Sequence, residues 1–195
     1  MKKIVMMAVM AVAALSANAQ TWVGGELGFT SSHINGVGTS KEFSIKPEVG
    51  FGLNEKFDVA IALGYTYSSD KLHKNFGGAR FSTNEFEISP YVRYKFIKAG
   101  NFFAFVDGGL GYATLHYKGF STNMNKFGVY VTPGIAYSVS NKVTLVSHLG
   151  EGLYYNHEWQ KGGKIDGALE YDGTHANNVG FRLFNGITFG AYVNL

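Results

Sequence analysis

The sequence predicts an all-β protein, eight antiparallel strands wound into an up-and-down barrel. Three observations predict it: a strand motif written four times, a second strand motif interleaved with the first, and connections too short for helical crossovers. The first motif is FSIKPEVGFGL, in which Phe43, Ile45, Pro47, Val49, Phe51 and Leu53 alternate with Ser44, Lys46, Glu48, Gly50 and Gly52. That is the two-residue period of a strand with one apolar face. It recurs as Phe86, Ile88, Pro90, Val92, Tyr94, Phe96 and as Val129, Val131, Pro133, Ile135, Tyr137, Val139. The chain's three prolines therefore stand 43 and 43 residues apart, and a fixed interval marks a repeated supersecondary unit. A fourth copy, Phe181, Leu183, Asn185, Ile187, Phe189, Ala191, keeps the phase with Asn185 in the proline place, after an interval of 52.

The second motif is a Leu-Gly pair, usually followed by an aromatic: Leu27, Gly28, Phe29; Leu63, Gly64, Tyr65; Leu110, Gly111, Tyr112; and Leu149, Gly150, Glu151. The two motifs alternate along the chain, and their connections force neighbours to run antiparallel. Prolines inside strands strain this assignment, because each lacks the ladder N–H. The expected resolution is a repeated bulge or a ladder break facing one adjacent strand.

Residues 1–19 have the form of a secretory signal peptide: Lys2 and Lys3, an apolar run from Ile4 to Leu15, and Ala17, Asn18, Ala19 before Gln20. Residues 20–195 then make one barrel domain. The absence of cysteine excludes disulfides, thiolate metal sites and a lipid-modified cysteine. Without Lys2 and Lys3 the 17 basic side chains become 15 against 14 acidic ones, a balance of +1, which gives no basis for nucleic-acid binding.

Alternation alone does not say which face is wet. Here the export signal and the aromatics decide for a membrane. Phe43 and Phe51, Phe86 with Tyr94 and Phe96, and Phe57 with Tyr65 and Tyr67 lie toward opposite strand ends, as the aromatic girdles of a transmembrane barrel do. Eleven residues tilted by roughly 40° rise about 25 to 30 Å, the thickness of a hydrocarbon core. Short connections (54–56, 97–100, 140–142) alternate with long polar ones (32–41, 69–82, 118–126, 156–178), the pattern of periplasmic turns and surface loops.

The KPEVGFGL, SPYVRYKF and TPGIAYSV strands, the Leu-Gly-aromatic strands and the final Gly186 to Leu195 strand resemble the small eight-stranded outer-membrane barrels of the OmpA/OmpX type and the broader group of outer-membrane β-barrel domain proteins. The resemblance covers all of residues 20–195. It implies a monomer in the outer membrane of a diderm bacterium, in contact with outer-membrane lipids and lipopolysaccharide and inserted by the barrel-assembly machinery. It also implies a non-enzymatic role in adhesion, envelope integrity or host contact. Such barrels commonly end in an aromatic; this chain ends in Asn194 and Leu195, with Phe189 and Tyr192 as the nearest substitutes.

In the predicted register Glu26, Lys46, Glu48, Asp58, Glu87, Arg93, Asp107 and Arg182 point into the barrel, among glycines that leave room for Tyr91, Tyr130 and Phe184. Buried charges are usually paired for satisfaction, so these read as a polar plug; a narrow pore for small solutes is the alternative. Ser147, His148 and Glu151 raise the question of a lipid-modifying hydrolase. Ser147 and Glu151, however, stand about 13 Å apart on one strand, and His148 points to the other face. The six histidines show no ligand spacing, Asp166, Glu170 and Asp172 lack the pattern of a calcium loop, and no cofactor is expected. What remains are the loop residues Lys71, Lys74 and Arg80 in the second long connection, and Trp159, Lys161, Lys164 and Tyr171 in the last. They are candidates for lipopolysaccharide phosphates or for an extracellular ligand or host surface.

Overall fold

The structure, a computed structural model, describes residues 20–35, 38–72, 80–118, 123–150, 152–160, 163–165, 169–171, 173–184 and 187–195, with backbone only at 34, 72, 80, 163–165 and 169–171. Six strands are continuous staves: β1 (Gln20–Ile34), β2 (Gly38–Gly52), β3 (Phe57–Leu72), β4 (Arg80–Ala99), β5 (Phe102–Tyr117) and β6 (Asn123–Ser138). The seventh stave is β7 (Val143–His148) followed by β8 (Gly152–Gln160). After a small separate hairpin, β9 (Gly163–Ile165) with β10 (Leu169–Tyr171), the eighth stave is β11 (Thr174–Arg182) followed by β12 (Thr188–Asn194). Every neighbouring pair is antiparallel. β12 closes the barrel on β1, from Trp22 opposite Asn194 to Leu27 opposite Phe189.

All three prolines lie within strands, and each marks a ladder break toward the stave that follows it. Pro47 faces Gly25 of β1 in register, whereas the bridge to β3 is interrupted between Ile45↔Tyr65 and Glu48↔Ala62. Pro90 pairs with Ile61 of β3 and the break falls on the β5 side, between Ile88↔Tyr112 and Tyr91↔Gly109. The Leu110 carbonyl there accepts the Ser89 hydroxyl at 3.2 Å, which replaces the N–H that proline cannot supply. Pro133 pairs with Val106 of β5, and toward the seventh stave the register slips by two residues, from Val131↔Leu153 to Gly134↔His148. Around that slip the Leu149 carbonyl accepts the Phe184 N–H at 2.8 Å. Gly152 has φ 63°, and a Cβ on it would run into the Val131 carbonyl, so this bulge requires glycine.

The outer wall carries the apolar phase. Leu27, Leu63, Ile88, Leu110, Val129, Val131 and Leu153 are exposed in the middle of the staves. Cross-strand aromatic pairs sit at both ends: Phe29↔Phe43, Phe43↔Tyr67, Tyr65↔Phe86 and Tyr112↔Phe127 toward the long connections, Phe57↔Tyr94 and Phe102↔Tyr137 toward the short ones. Phe51 is the exception, keeping the outward phase at only 7% exposure. The short connections are built by side chains that replace backbone partners: Asn54 Oδ1 accepts the N–H groups of Lys56 and Phe57, and Ser140 Oγ those of Lys142 and Val143.

Three expectations need correction. The connections expected as loops are largely strand: β1 and β2 stay paired to Ile34↔Gly38, β3 and β4 to Lys71↔Arg80, and β8 and β11 to Gln160↔Thr174. Both faces of these extensions meet water, so no apolar alternation betrays them. The fourth copy of the proline motif is not one strand, because β11 and β12 are separate and Phe184, with φ 60°, is 67% exposed rather than interior. Gly186, Asn185 and Glu151, like residues 1–19, lie outside the described residues.

Candidate functional site

The interior is the obvious place to look for chemistry. Its large rings are admitted by glycines directly opposite them: Gly24 by Tyr192, Gly50 by Trp22, Gly109 by Tyr130, Gly134 by Phe105 and Gly180 by Tyr154. A Cβ on any of these glycines would overlap the facing ring. With Ala60, Ala62, Ala136 and Val146, the rings of Trp22, Tyr91, Phe105 and Tyr192 form the buried apolar cluster. Trp22 and Tyr192 stack at 4.2 Å.

Within this cage lies one hydrogen-bonded layer. Arg93 of β4 grips Asp107 of β5 with a two-pronged pair, Nε to Oδ1 at 2.8 Å and Nη2 to Oδ2 at 2.7 Å. Its guanidinium lies 3.9 Å from the centre of the Phe105 ring, a cation–π contact inside the usual reach. Asp107 Oδ2 also accepts His148 Nε2 at 2.7 Å, and the other ring nitrogen, Nδ1, is 2.6 Å from Glu26 Oε1. With a carboxylate at each nitrogen, both must donate, which is the bonding pattern of imidazolium. Glu26 also accepts the Thr188 hydroxyl. Glu48 accepts Tyr91 and Tyr192 hydroxyls at 2.6 and 3.0 Å, and Arg93 Nη2 donates to Tyr192 at 3.1 Å. β1, β2, β4, β5, β7 and β12 are thereby tied across the lumen. Among the described residues no buried side-chain nitrogen or oxygen lacks a partner.

The layer separates two cavities. One, of about 390 Å³, is lined by Glu26, Thr30, Glu42, Lys46, Thr66 and Glu87 and faces the long connections; the other, of about 790 Å³, is lined by Gln20, Lys56, Lys95, Asn101 and Asn141 at the short-turn end. Lys95 meets Asp58 at 2.9 Å on the wall of the lower cavity. On the other side of the layer Lys46 and Glu87, which line the upper cavity, both lie close to Gly64, and Lys126 meets Glu85 at 2.9 Å nearer the long connections.

Of the eight residues expected inside, Glu26, Glu48, Asp58, Arg93 and Asp107 are buried, and Lys46 and Glu87 are half-buried in the upper cavity. Arg182 has the inward phase and lines the same cavity, but it is exposed and stacks over Tyr154 at 5.2 Å. It pairs with Gly152 at the break in the wall, outside the layer that buries Arg93. The central part of His148 was not anticipated, although its phase already put it inward. Tyr192 faces the lumen at 4% exposure, so of the two C-terminal aromatics only Phe189, at 67%, presents itself outward. Ser147 is on the opposite face from His148, and its hydroxyl donates to the Thr188 carbonyl at 2.9 Å.

Among the loop candidates, Lys71 is exposed at the end of β3 opposite Thr39. Trp159 lies within β8, half-buried, and not in a loop. Arg80, Lys164 and Tyr171 are described only as backbone, at the start of β4 and in the β9–β10 hairpin; Lys74 and Lys161 lie outside the described residues.

A closed barrel with aliphatic belt, aromatic rims and a polar lumen is the form of an outer-membrane protein, and the family comparison agrees. The model of the outer membrane protein beta-barrel domain family matches residues 4–192. The chain belongs to this family. This outer-membrane barrel shares its fold with a major outer membrane protein from Thermus thermophilus, at 14% identity over 91% of this chain and 100% of that one, with a TM-score of 0.50. Matches also include neisserial surface protein A (17% identity, 91% of this chain and 96% of that one, TM-score 0.48). A third is the translocator domain of the autotransporter NalP from Neisseria meningitidis (11% identity, 99% and 94%, TM-score 0.48). No curated protein matches the sequence.

Proposed function

We propose that this outer-membrane barrel is a non-enzymatic envelope and surface-interaction protein whose partners meet its extracellular end. The observation that carries this reading is the sealed middle layer: Arg93, Asp107, His148, Glu26 and Glu48 all spend their polar atoms on one another and on Tyr91, Tyr192 and Thr188. The hydroxyls beside its carboxylates, Tyr91 and Tyr192 on Glu48 and Thr188 on Glu26, satisfy buried charges, the structural role expected of such groups. The strand extensions meanwhile lift the last connection beyond the aromatic rim on rigid, paired walls, a favourable base for binding. The lysines of the outer end, Lys71 among them, suit lipopolysaccharide phosphates. The protein acts as a monomer delivered by the barrel-assembly machinery.

The test follows from the register. Residues 174–178 are paired to β8, so the last connection is replaced only between 161 and 173, by a short Gly-Ser turn. Cells displaying this variant should fold the barrel, seen as heat-modifiable gel mobility, and lose adhesion to host-cell or matrix surfaces that wild-type cells bind. Unchanged adhesion defeats the surface-interaction reading. The two cavities on either side of the layer favour a second reading, a narrow pore closed at the Arg93–Asp107 pair. Planar bilayers with the purified protein decide it: the layer predicts a silent membrane, and steady single-channel steps would establish the pore.

A further inference from the structure

From the upper aromatic rim outward the outer face of the barrel is not uniform. On β2 and β3 it presents Lys41, Ser69 and Lys71, small and charged. On the side formed by β5, β6, β8 and β11 it presents Thr114, His116, Asn125, His157, Trp159, Asn177 and His175, with no Lys, Arg, Asp or Glu among these described strand positions. Four rings run across that side in a row: Tyr112 to Trp159 at 6.2 Å, Trp159 to His157 at 5.5 Å, and His157 to His175 at 5.9 Å. The last two contacts are stacked, at 25° and 22°, so the rings present nearly parallel faces.

Two asparagines hold the row. Asn125 Oδ1 accepts the hydroxyls of Tyr112 and Thr114, both at 3.2 Å. Asn177 Oδ1 accepts Tyr155 at 2.9 Å and bonds His157 Nδ1 at 2.8 Å. Their carbonyl oxygens are thus occupied, and their NH₂ groups, like the Trp159 indole N–H, have no partner among the described residues. Flat ring faces flanked by amide and indole donors are the complement of a pyranose, which offers C–H faces to rings and hydroxyls to donors.

We infer that this strip binds the sugar headgroups of outer-leaflet glycolipid lying beside the barrel. Its position selects that source. His157 pairs with Phe127 of the upper aromatic rim and Trp159 with Asn125 two residues beyond it, so the strip runs from the rim to about 5 Å past it along a tilted strand. They face sideways along the membrane, where the first saccharides of a glycolipid lie, and not up into the medium. The inference deepens the proposed surface role but uses the wall, not the connections. The 161–173 replacement leaves the strip intact, so either reading can fail alone.

The chain has two tryptophans, Trp22 and Trp159, and in Trp22→Phe the indole of Trp159 is the only reporter. The folded variant in zwitterionic micelles is titrated with rough-type lipopolysaccharide, with phosphatidic acid, which carries acyl chains and phosphate but no sugar, and with the released core oligosaccharide. The expected result is a saturable change in Trp159 emission with rough lipopolysaccharide, a weaker one with the oligosaccharide, and none with phosphatidic acid. Asn177→Ala, which leaves the reporter in place, should weaken that binding about tenfold, and so should His175→Ala. An equal response to phosphatidic acid assigns the contact to acyl chains or phosphate and overturns the inference. So does a response to free oligosaccharide without one to the lipid-linked form, or binding unaffected by both substitutions. Gel mobility of each folded variant confirms that the barrel itself is intact.

Discussion

Replacing Arg93 with alanine should lower the unfolding free energy of the barrel by about 3 to 5 kcal/mol, measured as the shift in urea unfolding in lipid vesicles. Arg93 is 1% exposed and holds Asp107 with both prongs of its guanidinium. Truncation leaves Asp107 buried, with His148 as its remaining cationic partner, and it empties the space between the rings of Phe105, Tyr192, Tyr91 and Trp22. Both losses fall in one place, and neither relaxes easily because the rings are held against glycines on the neighbouring staves. Lysine at 93 should restore little, since a single ammonium cannot reproduce the two-pronged grip or stack flat on Phe105. The paired change Arg93→Met with Asp107→Leu should recover only part of the loss, because it also strands His148 Nε2, which Asp107 holds at 2.7 Å. A buried pair is costly to break but not costly to replace with apolar groups of similar size. If Arg93→Ala unfolds with the wild-type midpoint, the layer is not what ties the six staves together.

That layer also shows how far the sequence could be read. The eight staves were legible because lipid imposes a strict rule: the outward phase must be apolar at every second residue, and Phe86, Ile88, Pro90, Val92, Tyr94 obey it without interruption. The paired extensions above the membrane were not legible. At Ser31, Ser32 and His33, or Ser68, Ser69 and Asp70, both faces are wet and the period vanishes, so strand and polar loop look alike. Inward phase was equally legible for Glu26, Arg93, Asp107 and His148. Their partners were not, because the pairing depends on how far each stave is staggered against the next. Glu26, Asp107 and His148 come from three different staves whose relative stagger the alternation does not encode. Only the closed barrel brings Glu26 Oε1 and Asp107 Oδ2 to the two nitrogens of one imidazole. The prolines were legible as a conflict. Its resolution, a break always on the side of the following stave, is a property of pairing and not of any one strand.

The lipid-facing wall makes the second large prediction, and the structure moves it from the position that sequence alone suggests. Val92 reads as mid-strand, yet it lies two residues from Tyr94, which pairs with Phe57 in the lower aromatic rim. Val131 is 43% exposed and stands four residues from Phe127 of the upper rim and six from Tyr137 of the lower, closer to the middle of the hydrocarbon. Val131→Arg should therefore destabilise the barrel by about 2 to 4 kcal/mol, and Val92→Arg by less, because the cost of a lipid-facing arginine falls with distance from the midplane. The mechanism is desolvation without a partner: Val131 lies between Gly108 of β5 and Leu153 of β8, neither of which offers an acceptor side chain. At Val92 a long guanidinium side chain extends to the interface beside Tyr94 and keeps its water. Urea titrations of both variants in vesicles of one lipid composition rank them. Equal costs would show that depth does not govern this face, and a negligible cost at Val131 would mean that the greasy phase of the staves does not look onto acyl chains.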